Sequence, residues 1–279
     1  MALQIKQLKT AWPLLMGLVL AGCQTGSSFI ELEAVDPATA SSGNIASLTE
    51  VIRNSPNNAA AFNTRGSAYG SAGRFKLALE DFNQALRIDN KFYQAYANRA
   101  LVFRATGNPQ GALQDYNRAL RINRSYDVAY IARGNLYRTQ GRADDALSDY
   151  NQAISLGTTD PRAFHNRGLL FQLNGRNNEA IDDFTTAISL APRAAAPWNG
   201  RGASYLAIGN VKSALIDFNE ALRRDKKSHT AWTNRGFAEE QLGNKKAAKD
   251  SYQRALSVKP KHQPALDGLA RIGSKPRDA

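Results

Sequence analysis

The 279-residue sequence predicts an all-α protein built as an array of helical hairpins, and two sets of spacings predict it. Gly66, Ala100, Gly134, Gly168, Gly202 and Gly236 stand 34 residues apart, and Gly73, Gly107, Gly141, Gly175, Gly209 and Gly243 repeat the same interval. Aromatic residues keep step, first at Phe62, Tyr96, Tyr130, Phe164, Trp198 and Trp232, then at Phe82, Tyr116, Tyr150, Phe184, Phe218 and Tyr252. A fixed period without insertions means stacked copies of one supersecondary unit.

The copy from Pro161 to Ala194 shows the parts. Phe164, Gly168 and Phe171 fall at i, i+4 and i+7, the apolar face of one amphipathic helix. Asn174-Gly175-Arg176-Asn177 supplies turn chemistry, with Gly175 free to adopt the positive φ that ends a helix. Ala180, Phe184, Ala187 and Ile188 give a second apolar stripe, Asp182 and Asp183 suit the positive end of that helix, and Pro192 stops it. A hairpin this small cannot bury both faces alone, so its neighbours must cover them.

This period, with aromatic, Gly, aromatic, Ala, aromatic and Ala in order, resembles the tetratricopeptide repeat family from Ala59 to about His262. The resemblance implies a right-handed superhelical solenoid of six helix-turn-helix units (59–92, 93–126, 127–160, 161–194, 195–228, 229–262) whose first helices line a concave face. Residues 44–58 match only the second half of a unit, with Leu48, Val51 and Ile52 on one face, and are expected to cap the first. Residues 263–279 match only a first half, a C-terminal cap followed by a frayed tail.

Ahead of the repeats, Lys6 and Lys9 precede an apolar run from Ala11 to Leu20 that is shorter than the roughly 18 residues a membrane helix needs. A cleaved export signal over 1–22 is the expectation. Leu20-Ala21-Gly22-Cys23 resembles the lipobox of bacterial lipoproteins, which would place diacylglycerol on Cys23. The plain alternative is a cysteine that merely lies near a cleavage site. Cys23 is the sole cysteine, so it has no disulfide to make. Several acyl chains anchor stably where one is marginal. Gln24 in place of Asp implies, by the same resemblance, the outer membrane. Residues 23–43, rich in Ser, Ala, Thr and Gly, read as a tether.

The formal net charge is +12, and its basic excess thickens towards the C-terminus at Lys226, Lys227, Lys245, Lys246, Lys249, Lys259 and Lys261. Basic patches attract nucleic acid in a cytosolic protein. Export makes anionic envelope components or acidic proteins the expected targets and nucleic acid none; a solvated basic surface without a partner is the other reading.

An arginine precedes the small residue in every unit: Arg65, Arg99, Arg133, Arg167, Arg201 and Arg235. These could form a ligand-binding ladder. The alternative starts from Asp81, Asp115, Asp149, Asp183 and Asp217, which recur with them in the second helices; joint repetition favours charge-assisted pairs within the structure. In the sixth unit Ser251 replaces the acid, and Glu239, four residues after Arg235 on the same helical face, is expected to supply the carboxylate.

Family geometry puts Asn63, Ala97, Leu101, Arg104, Ile131, Asn135, Arg138, His165, Leu169, Gln172 and Asn199 on the concave face. That groove would be apolar, amide-rich and mildly basic, suited to an extended or helical peptide, with Arg104 and Arg138 placed for an acidic side chain or chain terminus. The Lys and Asn pair by which related repeats clamp chaperone tails is missing: Asn63 with Ser67, Ala97 with Leu101, Ile131 with Asn135 and His165 with Leu169 stand there.

No Walker glycine loop, no Gly-x-Ser-x-Gly elbow and no metal-ligand spacing around His165, His229 or His262 appears, so no enzyme, metal, cofactor or small-molecule substrate is expected. The resemblance points to a lipid-anchored adaptor that binds proteins in the periplasm for envelope maintenance. The alternative is an assembly factor that pilots secretin subunits to the outer membrane.

Overall fold

Helices account for every regular element among residues 41–273, which are those the computed structural model describes. The expected export signal, Cys23, the tether up to residue 40 and the tail at 274–279 lie outside the described residues. Two short helices, α1 (Ser42–Asn54) and α14 (Gln263–Gly273), flank six hairpins. These are α2 (Ala59–Ser71) with α3 (Phe75–Ile88), α4 (Tyr93–Ala105) with α5 (Pro109–Ile122), and α6 (Asp127–Thr139) with α7 (Ala143–Ser155). Then come α8 (Pro161–Leu173) with α9 (Asn177–Leu190), α10 (Ala195–Ala207) with α11 (Val211–Arg224), and α12 (His229–Gln241) with α13 (Lys245–Val258).

Local chemistry sets the ends of these helices. Asn58, Asn108, Asn210 and Ser228 accept hydrogen bonds from the backbone N–H groups of Ala61, Gly111, Ser213 and Ala231, satisfying donors that a helix start leaves free. Pro109 occupies the first turn of α5, where a missing N–H costs nothing. Between the helices of a hairpin, Gly141 has φ 73°, the left-handed conformation that closes the turn, and the other five turn glycines match it. α1 starts at Ser42, two residues before the expected 44, because Ser41 accepts from Asn44 N and caps it. α7 is 13 residues long where α3 and α5 are 14, and Gly157 (φ 79°) turns the chain there.

Two compact units divide the described chain, one holding residues 41 to 171 with Asp182–Pro192, the other Gln172–Ile181 with Arg193 to residue 273. In the first, a core of Ala97, Ala100, Ala112, Tyr116, Ala119, Leu120, Ala129 and Leu136 joins the second hairpin to the third. Its geometry follows from the small residue of each first helix. A Cβ on Gly134 would stand 2.8 Å from Tyr150 Cε1, so the ring of the second helix packs against the first helix's backbone. Burying such a ring contributes about 2–3 kcal/mol.

In the second unit Ala248, Tyr252, Ala255 and Ala265 form the core that closes the C-terminal end. The Tyr252 hydroxyl donates to Glu240 Oε2 at 2.6 Å, and Arg271 of α14 meets both Glu240 oxygens at 2.9 and 3.0 Å. His229 and His262 stack edge to face at 4.6 Å where α12 begins.

Candidate functional site

The repeated arginines and the first-helix face are the two places where polar chemistry concentrates. Arg133 donates through Nε and Nη2 to both oxygens of Asp149, at 2.8 and 2.7 Å, and through Nη1 to Asn117 of the preceding hairpin at 2.6 Å. Arg99 does the same with Asp115 and Asn83, and Arg167 with Asp183 and Asn151. Arg65 meets Asp81 and reaches back to Thr49 of α1, while Arg201 meets Asp217. The fork geometry of guanidinium allows this bidentate grip together with a third bond.

Aromatic rings complete the enclosure. The Arg133 guanidinium carbon lies 5.6 Å from the Tyr130 ring centre and 5.8 Å from Tyr137, and Arg65, Arg99 and Arg201 are flanked likewise. The hydrogen bond to Asp81 holds Arg65 above its usual pKa, and Asp217 does so for Arg201. These arginines are therefore occupied within the fold. Neither their asparagine partners nor the ring pairs enter the sequence expectations, although Asn83, Asn117 and Asn151 recur at the 34-residue period.

The expected Arg235–Glu239 pair does not form. Glu239 instead accepts from Asn244 Nδ2 at 2.9 Å, and its carbonyl from the Asn244 N–H at 2.9 Å, because the end of α12 brings it into the hairpin turn. Arg235 lies 5.4 Å from the Trp232 ring centre with no ion pair among the described residues, and its buried Nε has no hydrogen-bond partner.

The first-helix face is divided between core, inter-hairpin contacts and open surface. Ala97 and Ile131, expected in the groove, are only 3% and 2% exposed. Ala97 belongs to the core between the second and third hairpins, and Ile131 fills the space left by the small side chains of Ala153 and Ala163, so neither faces a ligand. Four expected amides serve neighbouring hairpins. Asn63 accepts from Asn98 at 3.0 Å, Asn135 from Asn166 and from the Tyr150 hydroxyl at 2.7 Å each, and Asn199 from Asn234 at 3.1 Å. Gln172 donates to Gly200 O and Ser204 Oγ, both at 2.8 Å.

What remains in the first unit is Leu101, Arg104, Arg138, His165 and Leu169, all half-buried. Arg104 and Arg138 hold equivalent places in successive hairpins and make no ion pair among the described residues. Both bring positive charge to the Tyr150 hydroxyl, whose pKa burial raises. Burial pushes Tyr116 up to about 12, with Arg104 opposing. His165 packs 5.5 Å from the Phe184 ring, and burial, aided by Arg138, lowers its pKa to about 4. Arg138 Nε, His165 Nδ1 and the Tyr116 hydroxyl are buried without a hydrogen-bond partner. The result is a small cationic surface with unsatisfied donors, able to accept an anionic group.

Helical hairpins at a fixed period, with an internally paired arginine seam and a residual cationic face, define an α-helical repeat protein. Tetratricopeptide repeat models match residues 59–92, 93–126, 165–229 and 229–262, and a TPR repeat model matches 134–175, leaving only 127–133 of the array unmatched. The chain belongs to the tetratricopeptide repeat family.

No curated protein matches the chain. Among solved structures it is similar to the APC/C hetero-tetramer Cut9–Hcn1, with 19% identity and a TM-score of 0.71, over 85% of this chain and 48% of that one. It thus spans about half the length of that relative. It is similar to PilF of Pseudomonas aeruginosa (18% identity, TM-score 0.70, 76% of this chain and 97% of that). A third is YrrB, described as a TPR protein with an unusual peptide-binding site (22% identity, TM-score 0.59, 68% and 97%). At these identities the likeness concerns the fold alone.

Proposed function

We propose that this protein is a lipid-anchored scaffold that binds a peptide segment of a partner protein on the face formed by Leu101, Arg104, Arg138, His165 and Leu169. One observation carries the reading: two arginines at equivalent places in successive hairpins have no acid among the described residues, while the seam arginines of the same helices are all paired. A carboxylate on the ligand would complete them, with the leucines giving apolar contact. The anchor is the lipid expected on Cys23, and the compartment is the periplasmic side of the outer membrane, a placement that rests on the lipobox resemblance.

Photoreactive residues placed at Leu101 and at Leu169 should crosslink one partner in cells, and Arg104→Ala with Arg138→Ala should abolish the adduct without loss of fold. Capture only from positions on the second helices, such as Ser148, would overturn the assignment. Cys23→Ala should move the protein from the membrane fraction to the soluble fraction.

The partner class expected is an envelope hydrolase or protease, in keeping with a role in envelope maintenance. A second reading, an assembly factor for an outer-membrane secretin, is favoured by the fold likeness that covers 97% of PilF. Deletion separates them: loss of secretin multimers with normal cell shape supports the second, a shape defect with intact multimers the first.

A further inference from the structure

In the last hairpin the arginine seam is incomplete in a way that leaves a binding site. Ser251 stands 16 residues after Arg235, the offset at which Asp81, Asp115, Asp149, Asp183 and Asp217 meet their arginines. It is 0% exposed, has two side-chain heavy atoms fewer than aspartate and reaches one bond less far, and its hydroxyl has no hydrogen-bond partner. Arg235 keeps its place beside the first aromatic: its guanidinium carbon is 5.4 Å from Trp232, as Arg99 is 5.5 Å from Tyr96 and Arg133 is 5.6 Å from Tyr130. Its Nε, the atom that donates to aspartate in the other five hairpins, is buried and unpartnered. The two acids of its own helix are engaged elsewhere, Glu239 by Asn244 and Glu240 by Tyr252 and Arg271.

We infer that Arg235 and Ser251 form a carboxylate-binding site, in which a carboxylate from outside the fold takes the place of the missing aspartate, accepting from Arg235 Nε and the Ser251 hydroxyl. Buried donors left unmade carry a desolvation penalty that such a ligand removes. The charge around the site suits it. A groove of about 410 Å³ between α11 and α13, with Asn219, Arg223, Lys226 and Arg254 in its lining, meets the site at Trp232, the ring beside Arg235. Asn219 occupies the position at which Asn83, Asn117 and Asn151 bind the seam arginines. Arg223 and Arg254 are balanced by Glu220 and Asp250, and Lys226 is not balanced. The ligand is either a free small carboxylate or an acidic side chain of a protein segment lying in that groove. The site is independent of the Arg104 and Arg138 face.

Thermal unfolding of the full chain with sodium acetate, against sodium chloride at equal ionic strength, tests the site. The wild-type melting temperature should rise with acetate by roughly 2–4 °C, while Arg235→Gln should not respond. Ser251→Asp should be more stable than wild type without ligand, by a similar shift, and blind to acetate. Equal acetate responses in wild type and Arg235→Gln overturn the proposal.

Should Ser251→Asp fail to fold, the Arg235 Nε–H resonance of the wild type decides: acetate should move it downfield with saturation, and a static signal refutes the site. A peptide Gly-Gly-Asp-Gly-Gly that moves the signal at lower concentration than acetate, where its Asn counterpart does nothing, identifies a protein source. Acetate acting alone identifies a free carboxylate. Either supports the site, and failure of both removes it.

Discussion

Replacing Arg133 by leucine should cost far more than an ordinary ion pair. The perturbation removes three hydrogen bonds, two to Asp149 at 2.8 and 2.7 Å and one to Asn117 at 2.6 Å. It leaves Asp149, whose side chain is 5% exposed, without a counter-charge; burial already pushes that carboxyl upward, and Arg133 is what opposes it. A buried pair broken on one side costs about 3–5 kcal/mol, whereas an exposed pair is worth about 0–1 kcal/mol.

The double variant Arg133→Leu with Asp149→Leu removes the stranded charge along with the pair. It should recover most of the loss, so that the cycle gives a coupling energy of about 3 kcal/mol. Urea unfolding followed by circular dichroism measures all four members. A single-variant cost below about 1 kcal/mol, or additive single effects, would refute the view that the seam is a buried structural element.

Three further outcomes follow from the same geometry. Gly268→Ala should destabilise by about 1–3 kcal/mol, since its Cβ would stand 2.4 Å from Tyr252 Cζ and that ring is tethered by Glu240 and Arg271; a melting curve reads it. Gly141→Ala, at φ 73°, should cost about 1–2 kcal/mol in the same assay. His165 has a folded pKa of about 4 against an ordinary 6.5, so on acidification the unfolded chain takes up the proton first. Stability should fall from about pH 6.5 to about pH 4, by up to about 3 kcal/mol, and His165→Gln should flatten that segment of the pH profile.

The hairpins were legible because one packing solution is used six times, so Gly134 and Tyr150 announce each other through their siblings. Arg133 and Asp149 were legible for the same reason. Where a unit departs from its siblings, the period no longer specifies its contacts. Helical spacing pairs Glu239 with Arg235, but spacing says nothing of the competing turn amide at Asn244. Ile131 was placed on the open face because a face is defined by angle alone. Its burial depends on Ala153 and Ala163 being small enough to admit it, a matter of volumes between helices distant in sequence. The amides at Asn63 and Asn135 looked like ligand contacts because their partners, Asn98 and Asn166, appear only in alternate units.

The backward reach of the seam arginines gives the chain a grammar for changing length. Arg99, Arg133 and Arg167 each address an acceptor in the hairpin before them and none in the hairpin after. If recombination removed residues 127–160, Arg167 would meet Asn117 where it now meets Asn151, and no seam arginine would lose its backward acceptor. Duplicating the same segment would likewise present both copies of Arg133, and Arg167, with an asparagine. Such a lineage can lengthen or shorten its array by whole units without first evolving a new joint.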